Sequence, residues 1–338
     1  MSIALPSLGD LLSLTTVVRI PLETTFRGLD YREVMLIDGP VAPGEWAAFT
    51  EYDDGEAAWW LATALEQAFI HTPSSETQRP VPANSIVPAM PASQVPGWLE
   101  RFNGCTSVKV KVGEPGQTLQ NDIDRVQAVR ESVGELKGIR LDANGAWDVS
   151  GAEDALRELA VFGIDYVEQP VHSVEEMSAL KARTSDLPIR LAADELVRKT
   201  HQISHLSKDV FDVVIIKPSP LGGLGKSRSL AFEALEAGFD VVVSSGLETS
   251  VGLSTATILA AEINAATGKT TAHGLSTGLL LRDDVVTSPL VPVDGYVQHA
   301  PPVLHRQKLA SLRAPEDRHA WWATRLERCY SRAVEILA

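Results

Sequence analysis

The sequence has few cysteines, no excess of positive charge and no long apolar run. Its 338 residues include two cysteines, Cys105 and Cys329, too few for a disulfide framework or a cysteine zinc site. Lysine and arginine total 30 against 44 acidic residues, a formal charge of -14, which repels phosphate backbones and anionic lipids. No apolar stretch approaches the roughly 20 residues of a membrane span, and residues 1–14 lack the features of a secretion signal. We therefore expect no nucleic-acid or membrane partner and a reducing, cytoplasmic location.

Short runs rich in valine and isoleucine alternate with amphipathic segments from about residue 107 onward. Such runs are typical of parallel strands covered on both faces, and the repeat implies right-handed strand–helix–strand crossovers. Capping-box patterns at 150–153 and 173–176 predict the starts of two of the intervening helices. The predicted strands are Ser107–Val112, Ile139–Asp142, Asp165–Glu168, Ile189–Asp194, Val213–Lys217 and Val241–Ser244.

An open doubly wound sheet and a closed barrel both fit this α/β repeat. The barrel is favoured because a charged residue ends each of four successive strands at nearly even spacing, and the strand ends of a barrel converge on one mouth. Further strands at 81–89 and near 271–273 bring the predicted number to eight.

The residues before the barrel have a different pattern. Segments 14–22 and 31–38 read as antiparallel strands, and Gly55–Phe69 reads as an alanine-rich helix. We expect residues 1–80 to form a separate α+β domain over the mouth of a barrel spanning 81–284. The tail, 285–338, has Trp321, Trp322, Leu326 and Tyr330 at roughly helical spacing and is expected to pack against that domain.

Asp142, Glu168 and Asp194 each end an apolar run and are each followed by a turn. Three carboxylates at one mouth repel one another strongly unless a cation lies between them. All-oxygen ligation suits Mg²⁺, for which Mn²⁺ can substitute. The alternative is that each acid caps the helix after its strand, which for a single acid would be the better interpretation. Three acids in one rhythm favour a metal site.

Lys109 and Lys111 lie two residues apart in one predicted strand, so their side chains share a face, which should be the barrel interior. Paired ammonium groups destabilise each other, which lowers a lysine pKa toward values useful for a base. The alternative is an exposed edge strand with solvated lysines. Lys217 follows four apolar residues, so its approach is buried. On the circumference of a barrel Lys111 and Lys217 fall on opposite sides of the mouth, with the three acids between them.

In this order the strand-end motifs resemble those of the enolase superfamily, muconate-lactonizing subgroup. They are Lys109-Val110-Lys111, Arg140-Leu141-Asp142-Ala143-Asn144, Glu168-Gln169-Pro170, Asp194-Glu195 and Ile216-Lys217-Pro218. The resemblance implies a modified TIM barrel, (β/α)7β, with an α+β N-terminal capping domain. It also implies an enzyme that removes a proton beside a carboxylate. Asp142, Glu168 and Asp194 would bind Mg²⁺, Lys111 and Lys217 would be the acid/base pair, and Lys109 would assist Lys111.

Three further stretches resemble the actinobacterial o-succinylbenzoate synthase family. Residues 21–28, followed by 32–34, are similar to its mobile specificity loop, 44–49 and 51–52 to the segment that follows, and 244–250 to a loop that lines the substrate pocket. The implied function is that of a lyase in menaquinone (vitamin K2) biosynthesis. It removes water from 2-succinyl-6-hydroxy-2,4-cyclohexadiene-1-carboxylate through an enediolate, giving 2-succinylbenzoate. Lys111 would take the proton and return it to the departing hydroxyl, while Lys217 stays cationic.

The substrate expected is a small-molecule carboxylate, and the sequence leaves a monomer and a homo-oligomer equally open. Phe26 and Arg27 are candidates to contact the substrate, or else a hinge-packing ring and a surface cation. Arg140, two residues before Asp142, is a candidate for the same contact or for support of the carboxylates. The remaining candidates are Asn144, Ser244, Ser245 and Gly246.

Other functions fit the same core. The segment Ala272–Thr277 lacks the paired acids that dipeptide epimerases place there, which argues against an epimerase of that type. An N-succinylamino acid racemase or a cycloisomerase remains the main alternative. A non-catalytic barrel is disfavoured, because a scaffold has no need for both opposed lysines and three acids.

Overall fold

A three-stranded antiparallel sheet and one long helix form the N-terminal part of the computed structural model, which describes residues 5–70, 79–135 and 137–338. Helix α1 (Leu8–Ser13) precedes strands β1 (Thr15–Phe26), β2 (Leu29–Asp38) and β3 (Pro43–Trp46), and helix α2 (Asp54–Phe69) follows them. The two predicted strands are present and pair antiparallel, and β3 was not predicted. Residues 1–4 and 71–78 of the expected domain lie outside the described residues.

Small residues bring α2 close to the sheet. A side-chain carbon added at Gly39 would lie 2.3 Å from the Ala68 carbonyl oxygen, and one at Gly44 would lie 2.2 Å from that of Ala64. The alanine content of α2 therefore serves close packing as well as helix propensity.

Seven parallel strands form the curled sheet of the barrel, and they are neighbours in chain order. The helices between them cover the outer face, where their apolar side chains form the largest core cluster. The strands are β5 (Ser85–Val87), β6 (Ser107–Lys111), β7 (Gly138–Asp142), β8 (Ile164–Glu168), β9 (Arg190–Ala193), β10 (Val213–Ile216) and β11 (Asp240–Val243), and a short β4 (Val81–Pro82) precedes them. The main helices are α3 (Val95–Leu99), α4 (Leu119–Val133), α5 (Val149–Leu159), α6 (Val174–Arg183), α7 (Glu195–Thr200), α8 (Leu224–Glu236) and α9 (Ser250–Thr267).

The eighth strand predicted near 271–273 is reduced to single bridges, through which the barrel closes. His273 bridges to Ala83 and Gly274 to Ser244, both in parallel. The approach is close: a side-chain carbon on Gly274 would lie 2.3 Å from Ser244 Oγ. The strand predicted at 81–89 is likewise divided into β4 and β5.

The two predicted helix starts had different outcomes. The Ser173 capping box at the start of α6 is confirmed. The one at Ser150 is wrong, because Asp148 caps α5 instead and accepts a hydrogen bond from the Gly151 amide at 2.7 Å.

The C-terminal tail returns to the N-terminal sheet. It contains helices α10 (Arg306–Ser311) and α11 (Glu316–Leu337), and α11 packs mainly on α2. Trp322 and Leu326 are fully buried, and the Trp322 ring meets Trp46 edge-on at 5.0 Å. The domain limits at residues 80 and 285 stay predictions. Within the described part of the chain, none of the helices is both long and apolar enough to cross a bilayer.

Candidate active site

Strand register places the acidic and basic residues in rows inside the barrel. Lys111, Asp142 and Glu168 are direct neighbours across β6, β7 and β8. Asp194 and Lys217 directly follow β9 and β10, on the next strands round the mouth. Lys111 and Lys217 thus flank the three acids, as predicted from the strand order.

An apolar layer closes the barrel beneath these rows. It consists of inward-facing side chains of β8 to β11, namely Tyr166, Ala192, Val213, Ile215 and Val242. The surroundings below the charged groups are therefore apolar, which strengthens the electrostatic interactions among them.

Ammonium groups separate the three carboxylates. Lys109 Nζ lies 2.7 Å from Glu168 Oε1 and 3.0 Å from Asp142 Oδ2. Lys111 Nζ lies 2.6 Å from Asp142 Oδ2 and 2.5 Å from Asn144 Oδ1. Lys217 pairs with Asp194, and its Nζ lies 3.8 Å from Glu168 Oε1. All six charged side chains are largely buried, so their charges are balanced mainly by one another.

The three lysines are electrostatically unequal. Burial lowers the pKa of Lys111, and although Asp142 opposes this, the ammonium groups of Lys109 and Lys217 reinforce it. Burial also acts to lower the pKa of Lys109, but Asp142 and Glu168 outweigh it, and the pKa is raised. The pKa of Lys217 is raised in the same way by Asp194 and Glu168. The lowering expected for paired lysines thus applies to Lys111 and not to Lys109.

The acids respond to the same surroundings. Burial, and then the Asp142 carboxylate, raises the pKa of Glu168 to about 8. Burial also acts to raise the pKa of Asp142, but Lys109 and Lys111 outweigh it, and the pKa is lowered. Glu195, next to Asp194, has its pKa raised by burial and by the Asp194 carboxylate. Neighbouring acids therefore destabilise one another's charge here.

The acidic residues fit a hard divalent cation by chemistry, although the lysines now hold them. Among residues 5–70, 79–135 and 137–338, no three acidic, histidine or cysteine side chains are arranged to hold a metal ion as they stand. Asp142, Glu168 and Asp194 nevertheless offer buried oxygen donors at adjacent strand ends. Close by, Glu195 Oε2 is buried without a hydrogen-bond partner. A cation at the three carboxylates would place positive charge near that oxygen. It would also relieve the repulsion by Asp142 that adds to the effect of burial in raising the pKa of Glu168.

A pocket above the charged rows joins the barrel to the N-terminal part. Of the residues predicted to contact substrate, six line it: Phe26, Arg27, Asn144, Ser244, Ser245 and Gly246. Phe26 and Arg27 form the tip of the β1–β2 hairpin, and the Phe26 ring centroid lies 5.6 Å from Lys111 Nζ. Gly246 is required by close packing, since a side-chain carbon there would lie 2.6 Å from Trp60 Cη2.

Arg140 does not reach this pocket. It lies in the row below Asp142, pairs across the strands with Lys109 and Tyr166, and lines a cavity at the opposite end of the barrel. Its guanidinium donates to the Ala272 carbonyl at 2.6 Å. Arg140 therefore lies apart from the pocket and from the three carboxylates at the mouth, so the structure supports neither substrate contact nor support of the carboxylates.

Several pocket residues were not predicted. Tyr52 and Trp60 come from the N-terminal part, whose docking cannot be read from local sequence patterns. Glu195 and Arg198 lie on α7, beside and one turn after Asp194, and both line the pocket. Asn144 donates to Glu195 Oε1 at 3.0 Å, which links the ends of β7 and β9.

Family models match both parts of the chain. Residues 17–68 match the model described as enolase N-terminal domain-like, and residues 98–302 match the one described as enolase C-terminal domain-like.

Similar proteins extend over nearly the whole length. A protein of Mycolicibacterium smegmatis named o-succinylbenzoate synthase is 43% identical over 333 residues, covering 98% of this chain and 99% of that protein. A protein of the same name from Mycobacterium leprae is 42% identical over 334 residues, covering 98% of this chain and 95% of that protein.

Solved structures support the same fold at lower identity. A muconate lactonizing enzyme from Pseudomonas fluorescens, complexed with muconolactone, superposes with a TM-score of 0.70 at 18% identity, covering 89% of this chain and 98% of that one. An N-succinyl Arg/Lys racemase from Bacillus cereus gives a TM-score of 0.69 at 20% identity, covering 89% and 97%.

Proposed function

Because the chain belongs to the o-succinylbenzoate synthase family of the enolase superfamily, we propose that it catalyses that dehydration. The substrate is 2-succinyl-6-hydroxy-2,4-cyclohexadiene-1-carboxylate, and the products are 2-succinylbenzoate and water. The reaction would serve menaquinone biosynthesis. The observation that carries the proposal is the charged mouth of the barrel, where Lys111 and Lys217 flank three buried carboxylates.

Lys111 is proposed as the base. Of the three lysines it alone has a lowered pKa, so its neutral form is the most accessible. It takes the proton from the carbon beside the ring carboxylate, and the electron pair of that bond delocalises into the carboxylate as an enediolate. When the carbon–oxygen bond to the hydroxyl breaks, Lys111 returns the proton to that oxygen and water leaves.

Lys217 and Lys109 are proposed to act as cations. The pKa of each is raised, so both remain protonated while charge develops on the substrate. Lys217 faces the enediolate from the side opposite Lys111. Lys109 repels the proton on Lys111 and so favours its neutral form.

The superfamily uses a divalent metal, and we propose Mg²⁺ held by Asp142, Glu168 and Asp194, with Mn²⁺ as a substitute. The positive charge of the ion would stabilise the enediolate. The lysine contacts to these acids have to be released when the ion binds, which frees Lys111 from Asp142. A small-molecule carboxylate is accordingly the proposed partner.

A racemase acting on N-succinylamino acids is the second candidate. It is favoured by the placement of two lysines on opposite sides of one pocket. The proposed dehydration needs only one of them for proton transfer, because the proton and the hydroxyl leave from the same face of the substrate.

Assay of the purified full chain separates the candidates. With Mg²⁺ present we expect the cyclohexadiene to be converted to the aromatic product, followed by its ultraviolet absorbance. Racemisation of N-succinylamino acids without any dehydration would show that the chain is a racemase and not a synthase. Absence of both activities would refute the proposed function.

A further inference from the structure

Two guanidinium groups converge on Tyr52 in the pocket. Arg27 donates to the Tyr52 hydroxyl at 3.4 Å and lies over the Phe49 ring, 4.4 Å from its centroid. Arg198 comes from the barrel side, with its Cζ 5.1 Å from the Tyr52 ring centroid. Both residues line the same pocket as the lysines.

These two cations are incompletely neutralised. Arg27 donates to the Tyr52 hydroxyl, and the Glu51 and Glu195 carboxylates act on it through their charge without a hydrogen bond. Arg198 pairs with Glu56, and 12% of its side chain is exposed. Burial lowers the pKa of the Arg198 guanidinium, and the nearby Arg27 cation acts in the same direction. An anion between the two guanidinium groups would relieve this repulsion.

Apolar side chains separate this cationic end from the lysine end. The Phe26 ring faces Lys111, and Phe49, Trp60 and Ile86 also line the pocket. The pocket therefore has a guanidinium end and a lysine end, where the proposed Mg²⁺ would add positive charge, joined by apolar walls. This arrangement suits a ligand with two carboxylates and a hydrocarbon part between them. The proposed substrate has that form, with one carboxylate on the ring and one at the end of the succinyl chain.

We infer that Arg198, together with Arg27, binds the carboxylate at the end of the succinyl chain and so selects succinyl substrates. The inference rests on the proposed function, because the ring carboxylate has to occupy the lysine end. Guanidinium groups are suited to this contact, since their parallel N–H groups match the two oxygens of a carboxylate. Arg198 would release Glu56 and bind the ligand carboxylate, and Arg27 would contact the same carboxylate from the hairpin tip.

A matched pair of ligands tests the contact. 2-Succinylbenzoate and 2-butyrylbenzoate share the ring carboxylate and the ketone, and differ in a terminal carboxylate or methyl group. Their dissociation constants are measured by calorimetry with Mg²⁺. For the wild type we expect the succinyl compound to bind about 10- to 100-fold more tightly, the range of charge-assisted hydrogen bonds. Arg198→Met should weaken the succinyl compound by about 10-fold or more and leave the butyryl compound within about twofold.

Two further variants keep the test decisive. Arg27→Met alters an exposed hairpin tip, so it should fold even if the Arg198 variant does not, and it should weaken the succinyl compound selectively. Glu56→Gln removes the partner of Arg198 and leaves the guanidinium in place, so it should keep the preference for the succinyl compound.

The outcomes distinguish this inference from the proposed function. If the wild type dehydrates the cyclohexadiene but binds both ligands equally, the inference is wrong and the proposed function stands. The inference would also be wrong if the arginine variants weakened the binding of both ligands equally, or if Glu56→Gln lost the preference for the succinyl compound. Arg198 would then serve only to connect α7 to α2 through Glu56. If the wild type catalyses no dehydration, the inference falls together with the proposed function.

Discussion

Glu168 is the most enclosed carboxylate of the mouth, with none of its side chain exposed. Glu168→Gln keeps the volume and removes one charge from the proposed cation site. We expect catalysis to fall about 100-fold or more, the scale for loss of a group that stabilises charge in the transition state. Mg²⁺ affinity, measured by calorimetry, should fall with it, while the unfolding transition stays cooperative because the core outside the barrel is unchanged. Glu175→Gln, an exposed change on α6, is the control, and a wild-type rate that survives excess chelator would refute the metal site.

The placement of Lys111 and Lys217 on opposite sides of the pocket can be tested by hydrogen exchange. Lys111 and Lys217 come from strands on opposite sides of the acids, so each should reach one face of a bound ligand. In deuterated water, Lys111→Arg should stop exchange of the α-hydrogen in one enantiomer of an N-succinylamino acid. Lys217→Arg should stop it in the other, as measured by proton NMR. If both variants stopped exchange in the same enantiomer, Lys111 and Lys217 could not lie on opposite faces of the ligand.

Most of the charged mouth could be predicted from the sequence because parallel strands bring their C-terminal ends to one edge. Asp142, Glu168, Asp194, Lys111 and Lys217 all follow that rule. Arg140 shows its limit. The two-residue alternation of a strand correctly predicts that Arg140 shares a face with Asp142, but it does not give depth, and Arg140 lies one layer further into the barrel.

At the scale of elements, Glu33 of β2 connects the tail helix α11 to the sheet. It is 4% exposed and accepts hydrogen bonds from Arg19 at 2.6 Å, Arg318 at 2.8 Å and Trp322 at 3.2 Å. Burial acts to raise its pKa, but the bonds from Arg318 and Arg19 outweigh it, so the pKa is lowered from 4.5. A carboxyl group whose pKa is lowered by folding stabilises the fold at pH values above its pKa in the unfolded chain. This contribution is lost as the pH falls through its pKa in the folded protein.

Glu33→Gln should therefore lower the free energy of unfolding by about 1–3 kcal/mol at neutral pH. The deficit should shrink as the pH falls below 4.5, where the wild type loses the same contribution. Urea unfolding at several pH values measures it, with Glu131→Gln on the exposed face of α4 as the control. A deficit that does not change with pH would show that the ion pairs of Glu33 contribute nothing.

The long strands and helices could be predicted because their apolar periodicity extends over many residues. The errors concern elements decided by a few contacts. Strand β3 has four residues, and the segment at His273 and Gly274 pairs through single bridges at a glycine pressed against Ser244. At the start of α5, Asp148 and Ser150 are both good capping residues, so residue type alone does not select Asp148, which caps the helix.

For the whole molecule, carboxylates of the N-terminal part cap two helices of the barrel. Glu45 accepts hydrogen bonds from the Thr249 amide at 3.0 Å and the Gly252 amide at 2.8 Å, at the start of α9. Glu66 accepts one from the Gly225 amide at 3.0 Å, at the start of α8. Such contacts depend on how the two parts dock, which local sequence patterns do not give, and this is also why Tyr52 and Trp60 were missed in the pocket.

Glu45→Gln tests this junction. The amide group would direct an N–H group at the Thr249 and Gly252 amides that now donate to Glu45, so we expect a loss of about 1–3 kcal/mol in unfolding free energy. Burial raises the pKa of Glu45 to about 8, so the expected loss comes from the hydrogen bonds and not from removal of a full negative charge. Urea unfolding measures it against Glu131→Gln. A loss no larger than that of the control would mean that the hydrogen bonds of Glu45 add nothing to the junction.

The role of Lys111 as the base is tested most directly by the dehydration rate of the full chain, with Mg²⁺, in the wild type and in Lys111→Ala. We expect the wild type to form 2-succinylbenzoate and Lys111→Ala to form none above background, because Lys111 both takes the proton and returns it to the leaving hydroxyl. The variant should still unfold cooperatively. Conversion by Lys111→Ala at a rate near that of the wild type would contradict the assignment of Lys111 as the base.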